Sequence, residues 1–141
     1  MISVERARVL REAGLRWHPV SGDSFRIERP DFDSEVFTVS EMTIEAHEFG
    51  TGTILGFNGT TEWALDSLAL EHTLWLPRED QLRELLSGTF RTLRRLESAS
   101  YRVEVELSGE TVGFEAADAA DAYGAALLTL LTRSGVSRGP G

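Results

Sequence analysis

The stretch of sequence that decides the fold is TILGFNGTTEWALDSLALEHTLWLPREDQLRELL, from Thr53 to Leu86. A glycine-rich turn precedes it, and its first residues, Thr53–Phe57, have the pattern of a strand. Thr60 can then cap a predicted helix over Thr61–Leu70. Pro77 suits the first turn of another helix, because its missing N–H group needs no partner there. The chain is therefore predicted to pass from strands to helices within this stretch.

The residues before this stretch predict one helix followed by several strands. Residues 3–13 place apolar side chains at helical spacing, with Ser3 as the N-cap and Gly14 as the C-terminal stop. Ser24–Glu28 and Glu35–Val39 then read as strands, and further alternation follows from Met42 onwards. Strands joined by turns this short must pair antiparallel.

The residues after it predict a hairpin. Tyr101–Leu107 alternates apolar with charged residues and is the clearest strand of the sequence. A turn at Ser108-Gly109-Glu110 leads into a second strand over Thr111–Phe114. The segment Phe90–Leu96 has apolar residues at a spacing of three with arginines between them, and the pattern leaves it open whether this segment is a strand or a helix.

The last predicted element is a helix over Ala119–Thr132, with Asp118 as its N-cap and Asp121 completing a capping-box analogue. The whole order predicts an α+β protein with a mostly antiparallel sheet and helices packed on one face. Residues 1–135 are predicted to form a single domain, and residues 136–141 a disordered tail.

The composition excludes several classes of function. The 141 residues include no cysteine and no lysine, so the basic residues are 14 arginines. Without cysteine there is no disulfide scaffold, thiolate metal site or cysteine nucleophile. Without lysine there is no Schiff-base chemistry and no phosphate-binding loop of the Walker type. The sequence therefore predicts no cofactor and no catalytic residue.

The net charge of −9 predicts that the protein does not bind nucleic acid, whose phosphates would repel it. Apolar runs stay well short of the ~18 residues of a membrane span, and the N-terminus has no apolar core of a signal peptide. The sequence therefore predicts a cytoplasmic protein without a membrane segment.

Large aromatic and basic side chains are the candidate residues for binding a protein partner. Tryptophan is frequent at the centre of interfaces, although core packing is its commoner role. Arginines clustered on an acidic protein suit an acidic partner, although a solvated arginine face is the commoner arrangement. The candidates are Trp63, Trp75, Arg91, Arg94 and Arg95.

A small-ligand site near residues 45–66 is the alternative. Glycines that lead into a helix start can present backbone amides to an anion, and nearby carboxylates could act on a substrate. The candidates for this site are Asn58, Gly59, Glu62 and Asp66. The three histidines lack the spacing of a metal site, so no metal is predicted, although a site of Glu45, His47 and His72 is conceivable.

Three segments carry a resemblance to a known family, namely Glu35–Glu45, Gly56–Ser67 and Trp75–Leu82. They resemble a family of short, uncharacterised actinobacterial proteins that are sometimes labelled pilus-assembly CpaE. This family brings no known catalytic residues, and the ATPase activity of the true pilus protein is not implied because the phosphate-binding lysine is missing. The order of elements also resembles the type III secretion chaperone-like fold, whose members bind protein partners and usually dimerise.

These observations favour a non-enzymatic module that binds another protein, in the manner of a chaperone or adaptor, and that forms a homodimer. The alternative is a small-ligand-binding or hydrolytic enzyme with an acid-lined pocket near residues 45–66. A pocket lined by carboxyl groups with raised pKa values would favour this alternative.

Overall fold

The computed structural model describes residues 1–29, 35–39, 44–49, 52–57, 67–69 and 72–137, with side chains omitted for 44–49, 52–57, 67–69 and 134–137. The elements within these residues are α1 (Val4–Glu12), β1 (Ser24–Ile27), β2 (Val36–Thr38), β3 (Ile44–Phe49), β4 (Gly52–Phe57), β5 (Ser67–Ala69), β6 (Thr73–Leu76), α2 (Glu79–Leu86), β7 (Phe90–Arg95), β8 (Tyr101–Leu107), β9 (Glu110–Ala116) and α3 (Ala119–Ser137).

The described strands form three antiparallel sheets of three strands each. The strand orders are β2-β1-β6, β3-β4-β5 and β7-β8-β9. The α+β class and the antiparallel pairing are therefore confirmed, but the single sheet expected from the sequence is divided among three. The chain forms two compact units, of which unit 1 contains residues 1–16 and 77–141 and unit 2 contains residues 17–76. The predicted single domain over residues 1–135 stays a prediction.

Unit 1 is a three-stranded sheet with helices on one face. The alternation of β8 points Val103, Val105 and Leu107 to one side, where all three are buried. Helix α3 packs against β8 and β9, and both α1 and α2 pack against α3. Tyr123 of α3 is fully buried, with its ring centroid 5.7 Å from that of Phe90. The core of unit 1 therefore lies between its sheet and α3.

Helix α1 begins where the sequence predicts, because the Ser3 hydroxyl accepts a hydrogen bond from the Arg6 N–H at 3.2 Å. It ends before Gly14, whose φ of +109° is the left-handed conformation of a helix stop. The helix then packs closely on α3 at Gly124, where a Cβ atom would lie 2.8 Å from Cγ of Arg6.

The start of α3 corrects one prediction. Asp118 caps the helix as expected, since its Oδ1 accepts from the Ala120 N–H at 2.8 Å. Asp121 does not close a capping box on Asp118, because its Oδ1 instead accepts from the Ser3 N–H at 2.8 Å. The helix also continues past the predicted end at Thr132, to Ser137, so residues 136–137 of the predicted disordered tail are helical. Residues 138–141 of the predicted tail lie outside the described residues.

Unit 2 carries an aromatic row across its first sheet. The register places Phe25 of β1 opposite Phe37 of β2 and Trp75 of β6, so all three share one face. Trp17 packs on Phe25 at 5.1 Å between ring centroids, and its indole N–H donates to Asp23 Oδ2 at 2.9 Å. The buried Asp23 carboxylate thus holds the loop before β1 in place.

The helix predicted over residues 61–70 is wrong at its C-terminal end, because Ser67–Ala69 is strand β5, paired with β4. The residues before it, 58–66, lie outside the described residues. Strand β6 was also missed. Both segments are short apolar runs, for which periodicity does not separate strand from helix.

Helix α2 begins two residues later than Pro77 suggests. Arg78 is the N-cap residue, and its N–H donates to Gln81 Oε1 at 2.9 Å. Leu82 and Leu86 are buried, whereas Leu85 is 39% exposed.

Candidate functional site

The candidate site is the open edge of the sheet in unit 1, formed by strand β7. The segment that the sequence left open between strand and helix is this strand. Within the described residues, β7 pairs with β8 on one side and has no strand on the other. The five residues 91–95 are all exposed. Edge strands of this kind present backbone groups that another chain can pair with.

The hairpin turn fixes which backbone groups face the open edge. The Leu96 N–H donates to the Ser100 carbonyl at 2.8 Å, so this pair is hydrogen-bonded across the hairpin. Hydrogen-bonded and non-hydrogen-bonded pairs alternate along an antiparallel ladder. Arg94 therefore points its backbone groups toward β8, and the N–H and C=O groups of Leu93 and Arg95 point to the open edge.

The three predicted arginines of β7 divide into one that is anchored and two that are available. The Arg91 guanidinium donates to Glu106 Oε1 at 3.0 and 3.2 Å and to the Gly88 carbonyl at 2.6 Å. It also donates to the Phe90 carbonyl at 3.0 Å, next to a bulge in the ladder. Arg91 therefore joins β7 to β8 as well as contributing charge.

Arg94 and Arg95 are exposed and make no hydrogen bond or ion pair with any residue that the structure describes. The register places Arg94 opposite Arg102 and Arg95 opposite Tyr101, so the two guanidinium groups lie on opposite faces of the sheet. From the sequence, the three arginines were predicted to form one cluster. The structure instead places Arg94 on the open face of the sheet and Arg95 on the face that carries α3.

The carboxylates of the open face are already paired. Arg102 donates to Glu104 Oε2 and to Glu115 Oε2, both at 3.0 Å, and the Thr92 hydroxyl donates to Glu104 Oε1 at 2.9 Å. The hydrogen bond from Arg102, followed by that from Thr92, lowers the pKa of Glu104 below its usual value. These ion pairs leave Arg94 as the cation of this face without a hydrogen-bonded carboxylate among the described residues.

Gly113 makes room for this network. It lies opposite Glu104 on β9, and the Arg102 guanidinium occupies the position that a Cβ atom at residue 113 would take. The guanidinium can therefore lie flat over the strand and reach carboxylates on both sides. Sequence reasoning did not identify Arg102 or Gly113. The one available signal was the alternation of arginine and glutamate along β8.

An apolar side chain completes the β7 edge. Leu93 lies opposite the buried Val103, on the face that carries α3, yet it is 37% exposed. Strand β7 lies at the margin of the sheet, and α3 packs against β8 and β9. The β7 edge, defined here as Leu93, Arg94 and Arg95, thus combines open backbone groups, one apolar side chain and two cations.

The predicted tryptophan and ligand residues lie elsewhere. Trp75 is half-buried on β6, and its indole N–H is buried without a hydrogen-bond partner among the described residues. It therefore contributes to packing beside Phe25, and its role in partner binding stays a prediction. The other residues, Trp63, Asn58, Gly59, Glu62 and Asp66, lie outside the described residues, and so do the side chains of Glu45 and His47.

The described residues contain neither a metal-binding cluster nor a membrane-spanning helix. No group of three or more histidine, aspartate or glutamate side chains in this part of the chain is arranged to hold a metal ion. None of the described helices combines the length and the apolar character that crossing a membrane requires.

Comparison with models of known protein families, with curated proteins and with solved structures gave no match. The resemblances to the actinobacterial family and to the chaperone-like fold therefore stay predictions.

Proposed function

We propose that this protein is a non-enzymatic module that binds another protein through the β7 edge. The observation that carries the proposal is the exposure of residues 91–95 on a strand that is open on one side. Two arginines without a hydrogen-bonded carboxylate among the described residues lie there, on a chain of net charge −9. Exposed apolar and cationic groups around open backbone groups are typical of a docking surface.

We further propose that the module acts as a chaperone or adaptor and that it is cytoplasmic. The alternative is a small-ligand or hydrolytic enzyme with an acid-lined pocket near residues 45–66. This alternative depends on side chains that lie outside the described residues. The β7 edge is the surface whose geometry supports a function.

The test is an affinity capture from the source cells that compares two proteins. One is the natural chain, and the other carries Arg94→Ala and Arg95→Ala together. We expect at least one protein to be captured in stoichiometric amount by the natural chain and lost with the double variant. Identification by mass spectrometry would then name the partner.

The control is a second double variant, Arg16→Ala with Arg29→Ala. Both of these arginines are exposed and lie outside β7, so the control makes the same change in net charge. If both variants lose the same proteins, or if neither loses any, β7 is not the docking surface and the proposal is wrong. The mass of the natural chain in solution, measured alongside, tests the predicted homodimer.

A further inference from the structure

Building on the proposed function, we propose that the β7 edge takes an extended, acidic segment of its partner as an additional strand of the sheet. The segment would extend the order β7-β8-β9 by one strand on the side of β7. Strand addition of this kind obtains its affinity from main-chain hydrogen bonds and its specificity from alternate side chains.

The backbone supports strand addition at two positions. The N–H and C=O groups of Leu93 and Arg95 point away from β8, because Leu96 and Ser100 form a hydrogen-bonded pair and such pairs alternate along the strands. Two residues spaced by two present two donors and two acceptors in one row. An extended segment can meet all four, whereas a helix could not, because its own backbone groups bond internally.

The charges favour an acidic segment over a second copy of β7. A symmetric pair of β7 strands centred on Arg94 would place that residue opposite its own copy. A pair centred on Leu93 would place Arg95 opposite Arg91 of the copy. Like charges directly opposite one another destabilise a strand pair, whereas opposite charges stabilise it.

Arg94 interacts with Glu104 through the attraction of their charges, which contributes to the lowered pKa of Glu104, but Arg94 donates no hydrogen bond to a nearby glutamate among the described residues. Glu104 and Glu115 accept hydrogen bonds from Arg102, and Glu106 accepts from Arg91. A carboxylate on an added strand would therefore find Arg94 on the open face without having to displace an existing hydrogen-bonded ion pair. The expected pattern is a carboxylate beside Arg94, an apolar residue beside Leu93 on the other face, and a second carboxylate near Arg95.

The probe is a fluorescein-labelled peptide of about eight glutamate and valine residues, the length of an ordinary strand. It carries Glu-Glu-Val at its centre, so that an antiparallel strand places these residues opposite Arg95, Arg94 and Leu93. Its anisotropy is followed as the full-length protein is added. We expect saturable binding that weakens about two- to fivefold with Arg94→Ala or Arg95→Ala alone, and about tenfold with both, as exposed ion pairs allow. The variant with Arg16→Ala and Arg29→Ala should bind as the natural chain does.

Two further peptides separate strand addition from simple attraction of charge. One carries N-methyl groups on alternate residues, which removes main-chain donors and leaves every side chain and charge in place. The other replaces glutamate by lysine. We expect both peptides to lose binding. If the N-methylated peptide binds as tightly as the unmodified peptide, strand addition is wrong.

Absence of saturable binding of the glutamate-valine peptide would also overturn the inference, and so would tighter binding of a single-stranded oligonucleotide of the same length. A third such outcome is a dimer of the natural chain in sedimentation whose dissociation constant changes with Arg94→Glu, because a second copy would then occupy the β7 edge. If the capture experiment finds a β7-dependent partner that the glutamate-valine peptide does not displace, the partner docks in another way. In that case the proposed function would stand and the strand-addition inference would fail.

Discussion

At the residue scale, the position of Arg102 depends on the missing side chain at residue 113. A Cβ atom there would displace the guanidinium that bonds Glu104 and Glu115. We expect Gly113→Ala to raise the pKa of Glu104 toward its ordinary value of 4.5. Carboxyl carbon shifts followed by NMR during a pH titration measure this pKa.

The sign of the pH dependence follows from the direction of the shift. A carboxyl group with a lowered pKa in the folded state adds stability above its ordinary pKa, and this stability disappears as the pH falls through the lowered value. The natural chain should therefore lose more stability below pH 4.5 than the Gly113→Ala variant. Arg91→Ala is the control, since Arg91 bonds Glu106, and an equal effect of both variants on Glu104 would contradict this account.

The turn between β8 and β9 gives a second prediction at this scale. Gly109 has a φ of +81°, and a Cβ atom added there would find nothing within 4 Å. Gly109→Ala should therefore cost about 1–2 kcal/mol of unfolding free energy through backbone strain alone. Gly88→Ala is the matched control, since its surroundings are equally open and its φ is not positive. Urea unfolding of both variants would refute the prediction if their midpoints matched.

At the element scale, the pairing of β7 with β8 predicts that proline destabilises the fold more at Arg94 than at Leu93. Leu93 points its N–H to the open edge, so Leu93→Pro removes no bond of the ladder. Arg94→Pro removes one, and should cost about 1–3 kcal/mol more. Thermal unfolding of both variants, each compared with alanine at the same position, measures the difference. A larger cost at Leu93 would mean that the assigned ladder is reversed and would remove the basis for strand addition.

The packing of α3 on the sheet gives a second prediction for an element. Tyr123 is fully buried and its hydroxyl accepts from Nη1 of Arg83 at 3.3 Å. Tyr123→Phe keeps the ring and should cost about 1 kcal/mol or less, because the exposed Arg83 can bond to water instead. Tyr123→Ala leaves a cavity and should cost about 3–5 kcal/mol. Equal losses in denaturant unfolding would show that the hydroxyl, and not the ring, matters.

At the scale of the whole molecule, the first and last described helices, α1 and α3, pack together in unit 1. Leu10 of α1 is fully buried, and α1 packs on α3 although more than a hundred residues separate them in the chain. We expect Leu10→Ala to cost about 2–5 kcal/mol. Amide hydrogen exchange should show the loss of protection first in α1 and α3, and later in β1 of unit 2.

The control for this prediction is Val9→Ala, on the same helix, because Val9 is partly exposed and its loss should change protection little. An equal loss of protection across both units with Leu10→Ala would mean that the chain unfolds as one cooperative domain. That result would support the single domain that the sequence predicts over residues 1–135.

Local structure follows from the sequence wherever neighbouring residues supply the stabilising interactions. Ser3 caps α1, Gly14 ends it, and the alternation of Tyr101–Leu107 gives β8, as predicted. Caps, turns and amphipathic periods depend on residues within a few positions of one another. Their outcome can therefore be read without knowing the fold.

The pairing of segments, and the faces that stay open, depend on contacts between residues that are distant in the chain. Ser67–Ala69 is a strand because β4 pairs with it, and Asp121 bonds Ser3 from the far end of the chain. The division of Arg94 and Arg95 between two faces follows from the register with β8. Contacts between distant residues are set by burial and hydrogen bonding across the whole chain. The residues of a short apolar segment therefore do not identify the strand or helix with which it packs.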